Sequence, residues 1–278
     1  MATKFTALIL GILLLTGRTG AEDRLNVAVT NPWLALLVAF IGGPEVNVTP
    51  IRIWNDNGDL VMAERGKILR EIPDGAKIIA LDENDAKDSG IKSAKSAEKF
   101  TVKYLYSPFP VSTNSLYDPS VIPFVAQRVL TALSEWDSQN YPYYQRRLAE
   151  FQVRLSSSIL VGQVLKDISI ADFSGSSGVL LRAAGCKVER PNEIETWEKG
   201  NFAGLREYLD EEKNKGAAII FDDDTAPVLK RYLNGKSDVY KLERPSLDTD
   251  YPSFLHEQYI SLWQKITEKP LPGRKTKR

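Results

Sequence analysis

The carboxylates Asp172, Asp222, Asp223, Asp224, Asp248 and Asp250 all lie in the second half of the chain. Carboxylate oxygens suit hard cations such as Mn²⁺, Ca²⁺ or Mg²⁺. Asp222 to Asp224 follow Ala217 to Phe221, an apolar run expected to be a buried strand. Binding residues of α/β sheets gather at such carboxyl ends. The same acids would also cap free N–H groups at a helix N-terminus and meet the positive end of its dipole. Both uses are open at this point.

A second constellation is Phe173-Ser174-Gly175-Ser176-Ser177-Gly178, between a strand pattern and a helix pattern. Small residues let backbone N–H groups approach an anion, and the helix dipole favours negative charge there. An anionic solute is therefore one reading and a tight Ser-capped turn the other. The segment lacks the lysine of a phosphate-binding P-loop, which argues against a nucleotide.

The chain has one histidine and one cysteine. His256 shares a helical face with Leu255, Tyr259, Leu262 and Trp263, so a half-buried packing role is expected. Cys186 stands where a helix end runs into a strand and has no partner for an internal disulfide; a buried, inert thiol is expected. No G-x-S-x-G or H-E-x-x-H motif occurs, and one imidazole offers few nucleophile–base pairings, so no enzyme is expected.

The elements that would hold these residues alternate. Leu25 to Thr30 reads as a strand, Trp33 to Ile41 as an apolar helix opened by Pro32, and Val46 to Ile51 as a second strand. Leu60 to Arg70 has helical spacing and Lys77 to Leu81 reads as a third strand. Charged Asp82 to Lys99 is expected to be an exposed loop or short helix, followed by a strand over Phe100 to Tyr106. Pro119 to Trp136 is a helix, and a longer helical pattern runs from about Gln139 to Leu165. Strand–helix alternation then restarts at Ile168 and closes with a helix over Phe254 to Ile266. This order predicts an α/β fold of two lobes, each a mainly parallel sheet flanked by helices, joined by a long rigid helix. The expected divisions are 1–21, 22–138, 139–165 and 166–278.

Lys4, the apolar run Phe5 to Leu15 and Thr19-Gly20-Ala21 read as a signal peptide cleaved after Ala21. The run is shorter than the roughly 20 residues that span a bilayer. The expectation is a periplasmic protein, not membrane-spanning after signal removal; a retained anchor is the alternative. Basic and acidic side chains number 36 each, with no basic stripe, so nucleic acid is not expected as a partner.

Several segments, in order, resemble the TroA-like solute-binding proteins of zinc and manganese ABC transporters. LNVAVTNPWLALLVAFIGGPEVNVTPI resembles that family's first strand, helix and second strand. NSLYDPSVIPFVAQRVLTAL is similar to its His-x-Trp-x-Asp-Pro segment, LSEWDSQNYPYYQRRLAEFQVRL to the start of its inter-lobe helix, and GAAIIFDDD to a second-lobe strand ending near the metal. The resemblance implies a ligand site between the lobes, little hinge motion, and ABC permease and ATPase partners; a monomer is expected. The family holds its metal with two or three imidazoles and a carboxylate. Here Asn114 stands at the histidine of the His-x-Trp-x-Asp-Pro segment, the first-lobe ligand loop RIWNDNGDL after Pro50 contains no histidine, and the second-lobe strand ends in Ala171-Asp172-Phe173-Ser174.

The expected function is therefore a periplasmic solute-binding protein of a metal-type importer with a histidine-poor site. Its candidate ligand residues are Asn114, Asp172, Ser174, Ser176, Asp222 and Asp250. A divalent cation on oxygen ligands is the cofactor expectation, without a tight histidine zinc site. The alternatives are a scaffold protein on the same fold with no ligand, or a binder of an anionic solute.

Overall fold

Two apolar strand patterns of equal design, one in each half of the chain, build two four-stranded parallel sheets. The computed structural model describes residues 24–55, 58–91, 99–106 and 116–267. The first half supplies β1 (Leu25–Val29), α1 (Pro32–Gly42), β2 (Val46–Pro50), β3 (Arg52–Trp54), β4 (Leu60–Met62), α2 (Ile68–Glu71), β5 (Lys77–Ala80), α3 (Glu83–Asp88) and β6 (Thr101–Tyr104). Helices α4 (Ile122–Trp136) and α5 (Tyr141–Gly162) follow. The second half supplies β7 (Ser169–Asp172), α6 (Gly178–Ala183), β8 (Lys187–Glu189), α7 (Ile194–Glu198), α8 (Leu205–Asn214), β9 (Ala218–Asp222), α9 (Pro227–Leu233), β10 (Val239–Leu242) and α10 (Tyr251–Thr267).

The sheet orders are β2-β1-β5-β6 and β10-β9-β7-β8, all parallel. Taken from its own first strand, each sheet has the same order, second-first-third-fourth. The crossover direction therefore reverses between β1 and β5 in one lobe and between β7 and β9 in the other. Such reversals open a crevice at the strand carboxyl ends, where α/β proteins place ligands.

Helix α1 is apolar on nearly every face because all of it but Ala39 is buried. Asn31 caps it, accepting from the Leu34 N–H at 3.1 Å, and Pro32 pre-sets its first turn. One apolar cluster runs from Val27 and Leu34 through Leu148, Phe151 and Leu155 of α5 to Ile170, Ile220 and Tyr259. Helices α5 and α10 pack closely across it. A Cβ on Gly162 would lie 2.6 Å from the Tyr259 ring, and the Tyr259 hydroxyl donates to the Leu180 carbonyl at 2.8 Å. Each lobe keeps a smaller cluster on its outer sheet face.

Three expectations need correction. Leu60 to Arg70 is not one helix. Leu60–Met62 pairs antiparallel with Arg52–Trp54, because Asn55 accepts from the Asp59 N–H at 2.8 Å and Gly58 adopts φ 89°, which turns the chain back. Within the charged stretch after Leu81, Asp85 is buried rather than exposed. His256 is exposed, not half-buried, since the packed face of α10 is carried by Tyr251, Phe254, Leu255, Tyr259 and Leu262. Cys186 is buried as expected. Its thiol donates to the Leu165 carbonyl at 3.4 Å, and burial pushes its pKa up to about 11, which keeps it protonated and unreactive. No helix among the described residues is long and apolar enough to cross a membrane.

Candidate functional site

Both crossover crevices are filled by a carboxylate of the chain itself. In the first lobe Asp85, at the start of α3, accepts from the Leu81 N–H at 2.9 Å and from Asn31 Nδ2 at 3.1 Å. It also accepts from the Thr30 hydroxyl and pairs with Arg52, whose Nε donates to the Thr30 carbonyl at 2.9 Å. In the second lobe the end of β9 aims Asp222 into the Ser/Gly loop. Asp222 accepts from the backbone N–H groups of Gly175 (2.9 Å), Ser176 (3.1 Å) and Ser177 (3.0 Å), and from the Ser177 hydroxyl at 2.8 Å. Burial alone would raise this carboxyl, but these donors outweigh it and hold its pKa below the usual value. The N–H groups that could cradle a free anion are thus engaged by an internal one.

Asp172 and Ser174 form a second small network. Asp172 is 3% exposed and accepts from the Ser174 N–H at 2.9 Å and from its hydroxyl, while Ser174 Oγ accepts from the Gly178 N–H at 2.9 Å. Here burial wins over those hydrogen bonds and raises the Asp172 pKa. Ser176 donates its hydroxyl to Asp224. Asp250 caps α10, accepting from the Ser253 N–H at 2.9 Å, and pairs with Arg154 of α5 at 2.9 Å. Asp172, Ser174, Ser176 and Asp222 therefore come together, Asp250 stands apart, and Asn114 lies outside the described residues. Asp248 is exposed, and its backbone N–H donates to the Ser246 hydroxyl oxygen at 3.2 Å. Among the described residues no group of three or more His, Cys, Asp or Glu is arranged to hold a metal ion.

What remains open is a cavity of about 690 Å³ between the lobes. The first lobe contributes Trp33 from α1, Trp54 from β3, the hairpin residues Gly58 to Leu60, and Tyr117. The second lobe contributes Asp223 and Asp224 after β9, Lys230 and Arg231 of α9, and Arg244 after β10. Trp33 stands edge-on to both Trp54 (5.3 Å between centroids) and Tyr117 (4.6 Å), making an aromatic wall. Tyr117 is raised above an ordinary tyrosine pKa, by burial first and by Asp224 second, and stays protonated.

Arg244 is the distinctive residue of this cavity. Its side chain is 9% exposed and lies 5.9 Å from the Trp54 ring centroid. Asp224 takes its Nη2, but Nε and Nη1 are buried with no hydrogen-bond partner among the described residues. A buried, unmade hydrogen bond costs about 1–3 kcal/mol, and more on a charged group. The aspartates of the lining are already engaged. Asp223 pairs with Lys241 at 2.9 Å, Asp224 with Arg244, and Asp59 accepts from Asn55 Nδ2 at 3.2 Å.

Arg244, Trp33, Trp54 and Tyr117 do not figure among the residues expected from sequence. The carboxyl-end rule, applied to Val239–Leu242 as it was to Ala217 to Phe221, would have reached Arg244. Nothing in the sequence signals that β3 turns Trp54 toward the other lobe.

No protein-family profile and no curated protein sequence matches the chain. Solved structures do match its fold. A crystal structure of ZnuA superposes with a TM-score of 0.64 at 14% identity, covering 88% of this chain and 100% of that one. The SBP FpvC from Pseudomonas aeruginosa, in complex with Mn²⁺, gives 0.60 at 17%, covering 88% and 99%. A Zn(II)-bound variant of AdcAII from Streptococcus pneumoniae gives 0.63 at 14%, again covering 88% and 99%. The likeness is one of fold: two α/β lobes over nearly the whole length of each.

Proposed function

We propose that this chain is an exported, periplasmic solute-binding protein of a metal-type ABC importer, with a ligand site that has lost its histidines. The observation that carries the reading is the inter-lobe cavity, lined from both lobes, in a fold shared along its length with proteins described as metal-bound. A cavity of about 690 Å³ is within the range of small-molecule sites, roughly 300–1,000 Å³, and far larger than a bare ion needs. In this reading an ABC permease and its ATPase are the partners, the protein is a monomer, and α5 bridges lobes spanning 22–138 and 166–278.

Thermal melts of the mature protein against metal ions, sugars, amino acids and organic acids test it. A cognate solute at a hundredfold excess over its dissociation constant stabilises by about 2.7 kcal/mol. That stabilisation should vanish when Trp54→Ala opens the cavity wall. If no solute class shifts the melt, the scaffold reading takes its place.

A further inference from the structure

We infer that the solute is a small organic monocarboxylate, its carboxylate received by Arg244 and its body lying against Trp33, Trp54 and Tyr117. This rests on the solute-binding reading and specifies the chemistry of that site. Two buried arginines serve the carboxyl ends of the sheets, and they differ. Arg52 has its Nε on the Thr30 carbonyl and its Nη2 on Asp85. Arg244 has only Nη2 engaged, and among the described residues its Nε and Nη1 are the buried side-chain polar atoms without a partner. The Nε–H and Nη1–H groups point to opposite sides of the planar guanidinium and each makes a carboxylate-matching fork only together with Nη2, so a carboxylate from outside the chain would take one of these unmet donors and compete with Asp224 for Nη2.

The sign of the ligand follows from the same residues. A cation entering the cavity would meet a fixed guanidinium and aspartates already neutralised by Lys241 and Arg244. A second carboxylate would find no further unmet buried donor, since among the described residues those without a partner both belong to Arg244. A single negative charge on an apolar body satisfies both constraints, and the aromatic wall supplies the apolar contact. The first lobe also covers the donors. Gly58 lies close against the guanidinium, where an added Cβ would come within 2.9 Å of Nη1, and the Trp54 ring centroid is 5.9 Å from it, so an anion that reaches Arg244 does so beside the tryptophan. Trp54 is therefore a built-in reporter.

The test is a titration of the mature protein, followed by tryptophan fluorescence, with cyclohexanecarboxylate as probe and cyclohexanecarboxamide as its neutral isostere. The acid should give a saturable change and the amide none. Arg244→Gln should weaken the acid by about tenfold or more, the scale of a charge-assisted hydrogen bond. Asp224→Asn, which frees Nη2 from its competitor, should tighten it, a direction that a folding defect would not produce. Absence of saturable binding of the acid to wild type, equal binding of the amide, or unchanged affinity in Arg244→Gln overturns the assignment. If the acid fails while a neutral solute still stabilises the protein in a Trp54-dependent way, the cleft-binding role stands and only the anion assignment falls. If no solute class stabilises it, both fall.

Discussion

Asp222 and Ser177 meet twice: the carboxylate accepts from the Ser177 backbone N–H at 3.0 Å and from its hydroxyl at 2.8 Å. With Gly175 and Ser176 donating as well, one side chain ties the end of β9 to the start of α6. Replacing Asp222 with Asn turns an NH₂ group toward some of these N–H donors. The expected loss is about 2 kcal/mol or more, from unmet buried donors and lost charge-assisted bonds. Urea denaturation measures it, and an unchanged midpoint would show that the loop is held by other means.

Asp172→Asn should behave differently. Burial raises the Asp172 carboxyl, so its ionised form costs stability at neutral pH, and the amide removes that charge while keeping an acceptor for the Ser174 N–H. The midpoint should be equal to or above wild type. A large loss would mean that the negative charge itself is needed.

The two aspartates also oppose each other in acid. Asp222 has a lowered folded pKa, so its contribution is present above the unfolded value near 3.8 and is lost as pH falls through the folded value. Asp172 has a raised folded pKa, so its contribution is full below 3.8 and is lost as pH rises through its folded value. Denaturation between about pH 2 and 6 should therefore show a shallower acid loss in Asp222→Asn than in wild type, and a steeper one in Asp172→Asn. Parallel profiles would refute this.

Gly162→Ala should destabilise by about 1–3 kcal/mol, the usual cost of overpacking. The new Cβ would lie 2.6 Å from a Tyr259 ring that is fully buried and anchored through its hydroxyl to Leu180. An unaltered melting temperature would mean that α10 can slide away from α5 without penalty.

Zinc and manganese should leave the melt of the mature protein unchanged, as should chelator. The lone histidine, exposed on α10, is not among the residues lining the cavity, and tight zinc sites take nitrogen, thiolate or carboxylate donors in a closed set. Stabilisation by zinc that disappears in Asp172→Ala or Asp250→Ala would contradict it.

The alternation of strands and helices was legible because buried parallel strands are apolar runs and helices carry their own start signals, as Asn31-Pro32 shows. The β3–β4 hairpin was not, because Leu60 to Arg70 also satisfies a helical spacing and only the Asn55–Asp59 turn decides between them. At the site, the Asp222 and Ser loop neighbourhood could be found from strand ends. Whether a carboxylate there waits for a ligand or is spent on backbone donors depends on contacts between residues 45 to 47 positions apart. Arg244 was hidden for the opposite reason: a single arginine in a polar stretch carries no pattern, and its meaning lies in the partners it lacks.

The apolar cluster that passes from β1 through α5 and α10 to β9 couples the lobes mechanically. Swinging them apart would expose that cluster, at about 2.5 kcal/mol for every 100 Å² of apolar surface. A solute held in the cavity would then enter and leave without the lobes parting, past the side chains of the β3–β4 hairpin that line it.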